Sequence, residues 1–184
     1  MAHWYTADTH FGHDNIIRFC NRPFRSVGEM NTTIVSNFAS RVQADDDLWV
    51  VGDFGFGRSA GNDGYLESIF HSIPGRKHLI VGNHDDEQVK ALPWETVQDM
   101  AVIKDGDQRL TLCHYPMITW EGARKGAIQL FGHVHERWCG TRNSVNVGVD
   151  VWDFQPIRLG DIIKRAKTQA ENVYWSQVER GPEL

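Results

Sequence analysis

The chain has 184 residues, 41% of them apolar with seven Trp and nine Phe, which is enough for one sizeable core and argues against disorder. Its net charge of −5, with histidine neutral, gives no global basic footprint for nucleic acid. No stretch approaches the ~18 apolar residues of a membrane span, the start Met1-Ala2-His3-Trp4-Tyr5 does not read as a signal peptide, and Cys20, Cys113 and Cys139 are too few and too scattered for a disulfide framework or a thiolate zinc site. A cytoplasmic protein with free thiols is expected, folded as a single domain over residues 1–184.

Short apolar runs alternate with helical stretches, which predicts an α/β fold. Trp4-Tyr5-Thr6-Ala7 reads as a first strand that stops at Asp8. Ser26 and Glu29 have the spacing of a capping box, and Met30, Ile34, Phe38 and Val42 then recur at helical intervals, so a helix is predicted over 27–42. The run Asp45-Asp46-Asp47 reads as a solvated loop, followed by a buried strand over 48–51 that stops at Gly52-Asp53. Leu66, Ile69, Phe70 and Ile73 mark a second helix ended by Pro74-Gly75, and a strand over 78–81 stops at Gly82-Asn83-His84-Asp85. Runs over 101–104 and 109–113 flank the turn residues Asp105-Gly106-Asp107 and predict a hairpin whose second arm stops at His114. The run 128–131 stops at Gly132-His133-Val134-His135. Val145, Val147, Val149 and Val151 alternate with smaller or polar residues and predict a half-buried strand, and a last helix is predicted after Asp161.

Five apolar runs therefore end, at their C-terminal edge, in a small group of Asp, His or Asn. Ligand sites of open α/β sheets lie outside the carboxyl ends of the strands, so this regularity predicts that the five groups converge. Carboxylates with neutral imidazoles and no thiolate favour Mn²⁺, Fe or Zn²⁺ over Mg²⁺ or Ca²⁺. In Asp8-Thr9-His10 and His133-Val134-His135 the outer residues are two apart, so on extended backbone both face one cavity. Glycines before Asp53, Asn83 and His133 allow tight turns and close backbone approach.

The ordered set D-x-H, G-D, G-N-H-D, H and G-H-x-H, running from residue 8 to residue 135, resembles the calcineurin-like metallophosphoesterase superfamily. Within it, the stretch DTHFGHDNII from Asp8 and NVGVDVWDF from Asn146 resemble a group of small bacterial and phage members. The resemblance implies a four-layer α/β/β/α sandwich with two mixed β-sheets and helices outside. It implies that Asp8, His10 and His135 bind one divalent metal, that Asn83, His114 and His133 bind a second, and that Asp53 bridges them. His84 would sit beside the metals as the catalytic residue, touching the substrate or giving a proton to the leaving group. The ions implied are Mn²⁺ first, with Fe, Zn²⁺ or Ni²⁺ as alternatives. Two divalent cations, two carboxylates and a bridging hydroxide would leave a positive site that draws a phosphate ester into an acidic protein, and such a pair can generate that hydroxide at neutral pH for attack on phosphorus.

One departure stands out. Many members, the protein phosphatases above all, continue G-D-x-x-D-R, whereas here Gly52-Asp53 is followed by Phe54-Gly55-Phe56-Gly57-Arg58, with no Asp at that spacing and the Arg one position late. This counts against protein phosphatase activity and leaves open what orients His84, with Asp85 one choice. His13, Arg58 and Tyr115 are read as candidate substrate contacts. Arg18, Arg22 and Arg25 read either as a phosphate-binding rim or as arginines packing their stems on Phe19 or Phe24. Trp120 and Trp138, like Tyr115, could stack on a base or simply fill core. The expected activity is hydrolysis of a small phosphodiester of nucleotide or cyclic-nucleotide type, with a phosphomonoester as the alternative and a nucleic-acid end also open. A non-catalytic binding platform is a reading from another class, but it is expected to lose metal ligands that this chain keeps.

Overall fold

In the computed structural model, which describes residues 1–56 and 64–178, two sheets pack face to face. The first is wholly parallel and runs β1 (His3–Thr6), β2 (Asp47–Val51), β3 (Arg76–Ile80), β4 (Thr96–Gln98). Helix α1 (Asp14–Phe19) and the longer α2 (Val27–Ala39) lie between β1 and β2, and α3 (Tyr65–Ser72) between β2 and β3. Helical crossovers return the chain in its original direction, which forces parallel pairing. A short α4 (Glu87–Lys90) precedes β4.

The second sheet is mixed. Its strands are β5 (Met100–Asp105), β6 (Gln108–Cys113), β7 (Ile128–Phe131), β8 (Gly140–Thr141) and β9 (Ser144–Asn146), in the spatial order 5-6-7-9-8. The outer pairs β5–β6 and β8–β9 are antiparallel, while β6, β7 and β9 run parallel. The predicted hairpin is the β5–β6 pair, turned at Gly106-Asp107. Helices α5 (Leu159–Thr168) and α6 (Trp175–Val178) complete the described chain. The fold is thus the α/β sandwich expected, with the mixed pairing confined to the second sheet.

Period-two alternation in the first sheet decides the layering. Trp4, Leu48, Val50 and Leu79 point to one side, where they meet Met30, Ile34, Phe38 and Val42 from the α2 region and Leu66, Ile69 and Phe70 of α3. Tyr5, Ala7, Trp49, Val51 and Ile80 point to the other side and pack on Leu110, Leu112, Ile128, Leu130 and Val145 of the second sheet. Ile162 and Ala166 bring α5 into this inter-sheet core. The outer side of β7 is tied down by Gln129, which is fully buried; its Oε1 accepts from Met117 N at 2.9 Å and its Nε2 donates to the Tyr115 carbonyl at 2.7 Å.

Local chemistry sets the boundaries. Ser26 Oγ accepts from Glu29 N at 3.2 Å as an N-cap should, a contact typically worth ~1 kcal/mol, and the Glu29 carboxylate reaches back to Arg25 N at 2.8 Å. Helix α5 starts at Leu159, two residues earlier than Asp161 suggests, because Asp161 serves as its third residue and accepts from Arg158 N at 3.2 Å. The alternation over 145–151 is not one strand: β9 ends at Asn146 and a 3₁₀ turn follows over Val149–Val151. The Asn146 side chain accepts from Gly148 N at 2.7 Å, and Val149 N donates instead to the Ala7 carbonyl at 3.0 Å, so the chain leaves the second sheet for the end of β1. The Asp45–Asp47 run is not a solvated loop either. Asp46 and Asp47 are buried, and β2 begins at Asp47.

Candidate functional site

The C-terminal ends of β1, β2 and β3 in one sheet and of β6 and β7 in the other open onto the same place. Beyond β1 and β2 the two exit loops continue side by side: Asp8 N donates to the Gly52 carbonyl at 3.0 Å, His10 N to the Asp53 carbonyl at 3.0 Å, and Phe11 N to the Phe54 carbonyl at 2.9 Å. Asp8, His10, Asp53, His133 and His135 all have positive φ, between 50° and 70°. Non-glycine residues in this left-handed region carry a conformational cost and persist only where the surroundings hold them, and such clustering is a mark of functional sites.

Glycine permits the closeness. Gly52, at φ 89°, lies so near the His114 imidazole that a Cβ there would overlap the ring. A Cβ on Gly132 would stand 2.6 Å from Asp8 Oδ2, so only glycine lets the loop after β7 close on that carboxylate.

Asp53 sits at the centre. Its Oδ1 accepts from His84 N at 2.8 Å, and its Oδ2 lies 3.5 Å from His10 Nε2 and 3.4 Å from His114 Nε2. Asp8 is fully buried and accepts from His133 N at 2.9 and 3.0 Å. Asn83 Oδ1 lies 3.2 Å from His114 Nε2 and 2.9 Å from His133 Nδ1. The His10 and His135 rings stack with centroids 5.2 Å apart. All seven predicted ligand positions are therefore in one cluster. Within it, Asp8, His10 and His135 present ligand atoms within 4.8 Å of one another, and so do Asp8, Asp53 and His114.

Whether these donors suit a metal can be tested on His10. Its ring is 1% exposed, yet neither Nδ1 nor Nε2 has a hydrogen-bond partner. An unpaired buried polar group is costly, and a cation is the partner a neutral imidazole nitrogen among carboxylates would take. Burial holds the His10 pKa well below its ordinary value, so the ring is in its neutral, ligating form. His114 Nδ1 donates to the Val51 carbonyl at 2.9 Å, which leaves Nε2 turned to Asp53 and Asn83. The donor set fits divalent metal.

The electrostatics of the metal-free cluster follow from burial and charge. Burial pushes Asp8 up to about 6. Asp53 is also desolvated, but the hydrogen bond and charge of His114 and the charge of His10 outweigh that and hold it well below the usual carboxylate range. Burial disfavours charge on His114 and His135 as well; Asp53 nevertheless carries His114 up to about 9, and Asp150, with Cys20 and Asp8, carries His135 up to about 10. Carboxylates and imidazoles here share protons that a metal would displace.

His84 is exposed, with its ring edge-on to His10 at 5.3 Å and 6.0 Å from Phe56. Asp85 does not orient it. Both Asp85 oxygens are consumed by backbone amides, Oδ2 by Asp53 N at 2.8 Å and Gly82 N at 2.7 Å, Oδ1 by Phe54 N at 2.9 Å. Asp85 thereby ties the β2 and β3 exit loops together, and His84 is placed through its own amide on Asp53. His13 stacks on Phe56 at 4.7 Å and lies 6.2 Å from the His84 ring, so it borders the site. Tyr115 is 47% exposed and meets the His133 ring at 4.7 Å. Arg58 lies outside the described residues.

The rim reading fails for Arg22, whose side chain is fully buried and bonded to Asp150. Arg18 covers the Phe19 ring at 5.5 Å, as a packed stem does. Trp120 fills a small core with Ala123 and Ala127, and Trp138, 40% exposed, stacks on Phe131 at 5.1 Å. Sequence reasoning missed Asp150 and Asn146 as parts of the site. Asp150 accepts from His135 Nδ1 at 2.7 Å, and Asn146 Nδ2 donates to the His135 carbonyl at 2.8 Å. Their signal was the polar phase of the 145–151 alternation.

No family model matches the chain. It is 30% identical over 165 residues to the uncharacterized protein MJ1445 of Methanocaldococcus jannaschii, covering 86% of this chain and 87% of that one. It is 28% identical over 181 residues to the Gene 66 protein of Mycobacterium phage L5, covering 81% and 86%. Among solved structures, the protein of unknown function AQ665 from Aquifex aeolicus superposes with a TM-score of 0.72 at 26% identity, over 89% of this chain and 98% of that one.

Proposed function

We propose that this chain is a calcineurin-like metallophosphoesterase that hydrolyses a phosphate ester with two divalent cations, and that its substrate is a small phosphodiester of nucleotide or cyclic-nucleotide type. The observation that carries the reading is His10: an enclosed imidazole with neither nitrogen in a hydrogen bond, set beside Asp8 and against the Asp53 carboxylate and the His84 and His135 rings of three other strand ends.

Asp8, His10 and His135 would hold one cation, Asn83, His114 and His133 the other, and Asp53, whose Oδ2 faces both His10 and His114, would bridge them. When bound, the pair supplies Lewis acidity that activates water and offsets charge on the phosphoryl oxygens. The protein's part is placement. Left-handed backbone at Asp8, His10, Asp53, His133 and His135 turns their side chains inward, and Asp85 and Gly52 keep the loops in contact. His84 is the proposed proton donor to the leaving group. Its amide is bonded to Asp53 while its exposed ring faces solvent beside His10, so it can reach an ester oxygen without ligating. His13, which stacks on Phe56, and Tyr115, which meets the His133 ring, are proposed substrate contacts, and Arg58 is proposed from the sequence alone.

Absence of the D-x-x-D-R element supports a diester over a phosphoprotein. Mn²⁺ is the proposed ion, on the mixed nitrogen and oxygen donor set, with Fe, Zn²⁺ or Ni²⁺ as alternatives. The proposed setting is the cytoplasm, where the three free cysteines persist as thiols; no helix of the described residues is long and apolar enough to cross a membrane.

Purified protein, its metals identified by mass spectrometry, should hydrolyse bis-p-nitrophenyl phosphate faster than p-nitrophenyl phosphate with Mn²⁺ added. A strong preference for the monoester would replace the diester reading by a phosphatase. Failure to bind any transition metal, with no hydrolysis of either ester, would end the enzyme reading and leave a binding platform.

A further inference from the structure

Arg22 spends all five of its N–H donors inside the protein. Nε donates to Asp150 Oδ1 at 2.7 Å; Nη2 to Asp150 Oδ2 at 2.9 Å and the Asp8 carbonyl at 2.6 Å; Nη1 to the Thr9 carbonyl at 3.0 Å and Met30 Sδ at 3.3 Å. Its side chain has no exposure and that of Asp150 only 3%. The second Asp150 oxygen also accepts from His135 Nδ1 at 2.7 Å.

We propose that the Arg22–Asp150 pair is a positioning device for one cation, the one assigned to Asp8, His10 and His135; the proposal rests on the metal-site reading above. Desolvating two charges is expensive, and a buried pair is by itself weak support for stability. A plain staple between positions 22 and 150 could end on any groups. This one ends on the machinery. Two of its bonds hold the carbonyls of Asp8 and Thr9, those of the two successive peptides that lead from Asp8 into His10, and Asp8 and His10 are both in left-handed backbone, at φ 56° and 51°. Strained residues stay so only when the surroundings over-determine them, and the guanidinium fork does this for two ligands at once.

The third ligand is reached through Asp150. A carboxylate only accepts when ionised, so His135 must place its proton on Nδ1, and Nε2 is left for the cation. Asn146, donating to the His135 carbonyl at 2.8 Å, fixes the backbone of the same residue, which is itself left-handed at φ 50°. One ion pair therefore sets the backbone of two ligands and the tautomer and ring orientation of the third. Asn83, His114 and His133 receive no bond from it.

The test is Mn²⁺ binding by the full chain, followed by mass-spectrometric metal content after dialysis against graded chelator, with the melting temperature of the metal-free protein measured in parallel. In wild type two Mn²⁺ ions are retained. Asp150→Asn should weaken one of them by about 10–100-fold and leave the other, with Arg22→Lys intermediate because an ammonium cannot reproduce the fork. Because Asp150→Asn leaves Arg22 uncompensated and could unfold the chain, the double variant Arg22→Met with Asp150→Leu removes both charges. It should melt near the wild-type temperature without metal and still lose one ion selectively. Retention of both ions at wild-type affinity in the double variant, or equal weakening of both, overturns the positioning role. Wild-type protein that binds no Mn²⁺ at all would instead sink the metal-site reading itself.

Discussion

The two ends of the first sheet both carry buried carboxylates, and they differ in what they leave unsatisfied. At the N-terminal end every one is partnered. Asp46 accepts from Ala2 N, Trp4 Nε1 and Gln43 N at 2.6, 3.0 and 3.1 Å, and Asp47 is bonded by Arg76 at 2.7 Å and by His78 at 3.1 Å. Burial opposes ionisation of both, yet these donors hold both below the ordinary carboxylate pKa. At the C-terminal end Asp8 is raised to about 6 by burial, neither nitrogen of His10 has a hydrogen-bond partner, and five residues of the cluster, Asp8 and His10 among them, are left-handed. Like residue types thus make a closed ionic cluster at one end and an open one at the other. What distinguishes a site from a staple is the unsatisfied remainder, not the amino acids.

The sharpest way to break this contrast is at its centre. Asp53→Asn removes the charge that faces both His10 and His114, so metal content measured by mass spectrometry should fall at both positions. Turnover should drop about 10³-fold or more, beyond the ~10–100-fold that loss of an outer-shell partner brings. Retention of two tightly held ions would show that Asp53 does not bridge. Next in size, His84→Ala should cut turnover about 10²-fold or more while leaving metal content at the wild-type level, since its ring touches no predicted ligand except edge-on at His10. Loss of metal in that variant would move His84 from proton donor to ligand.

Removing the metals should act on stability at the open end. A ligand present at a hundredfold its Kd adds about 2.7 kcal/mol, and a chain of this size shifts by roughly 2–4 °C per kcal/mol, so excess chelator should lower the melting temperature by about 5–10 °C. The shift should vanish in Asp53→Asn. An equal chelator shift in that variant would place the stabilising ion somewhere other than this cluster.

The open end of this contrast can be read in the chain, because its cause is local. The five strand ends were legible since each is a short apolar run followed at once by a polar group, and the core stripe Met30, Ile34, Phe38 of α2 by its helical spacing. What escaped depends on partners far along the chain. Asp47 looks solvated next to Asp45 and Asp46, and Arg76 and His78, 29 and 31 residues on, make it a buried anchor. Arg22 and Asp150 are separated by 128 residues, and nothing near either announces the other. The alternation past Asn146 kept its period after the backbone had changed partners from the second sheet to Ala7, so periodicity overran the strand. Helices α1 and α4, of six and four residues, are too short to show a period at all.

The smallest effect, and the one that tests the closed end, is Asp47→Asn. Arg76 and His78 would lose an ionised acceptor, and His3, 3.7 Å away, a nearby charge, at a cost of about 1–2 kcal/mol by denaturant melting, with no change in metal content or turnover. The sign of its pH dependence follows from the depressed pKa of Asp47. The folded state favours the ionised carboxylate, so the stabilisation is fully present above the unfolded value near ~4 and is lost as pH falls through the lower folded value. Wild type and variant should therefore differ at pH 5 and converge as the pH drops below about 4. If the variant instead lost metal or activity, the two ends of the sheet would be coupled, and the division between a closed structural cluster and an open reactive one would fail.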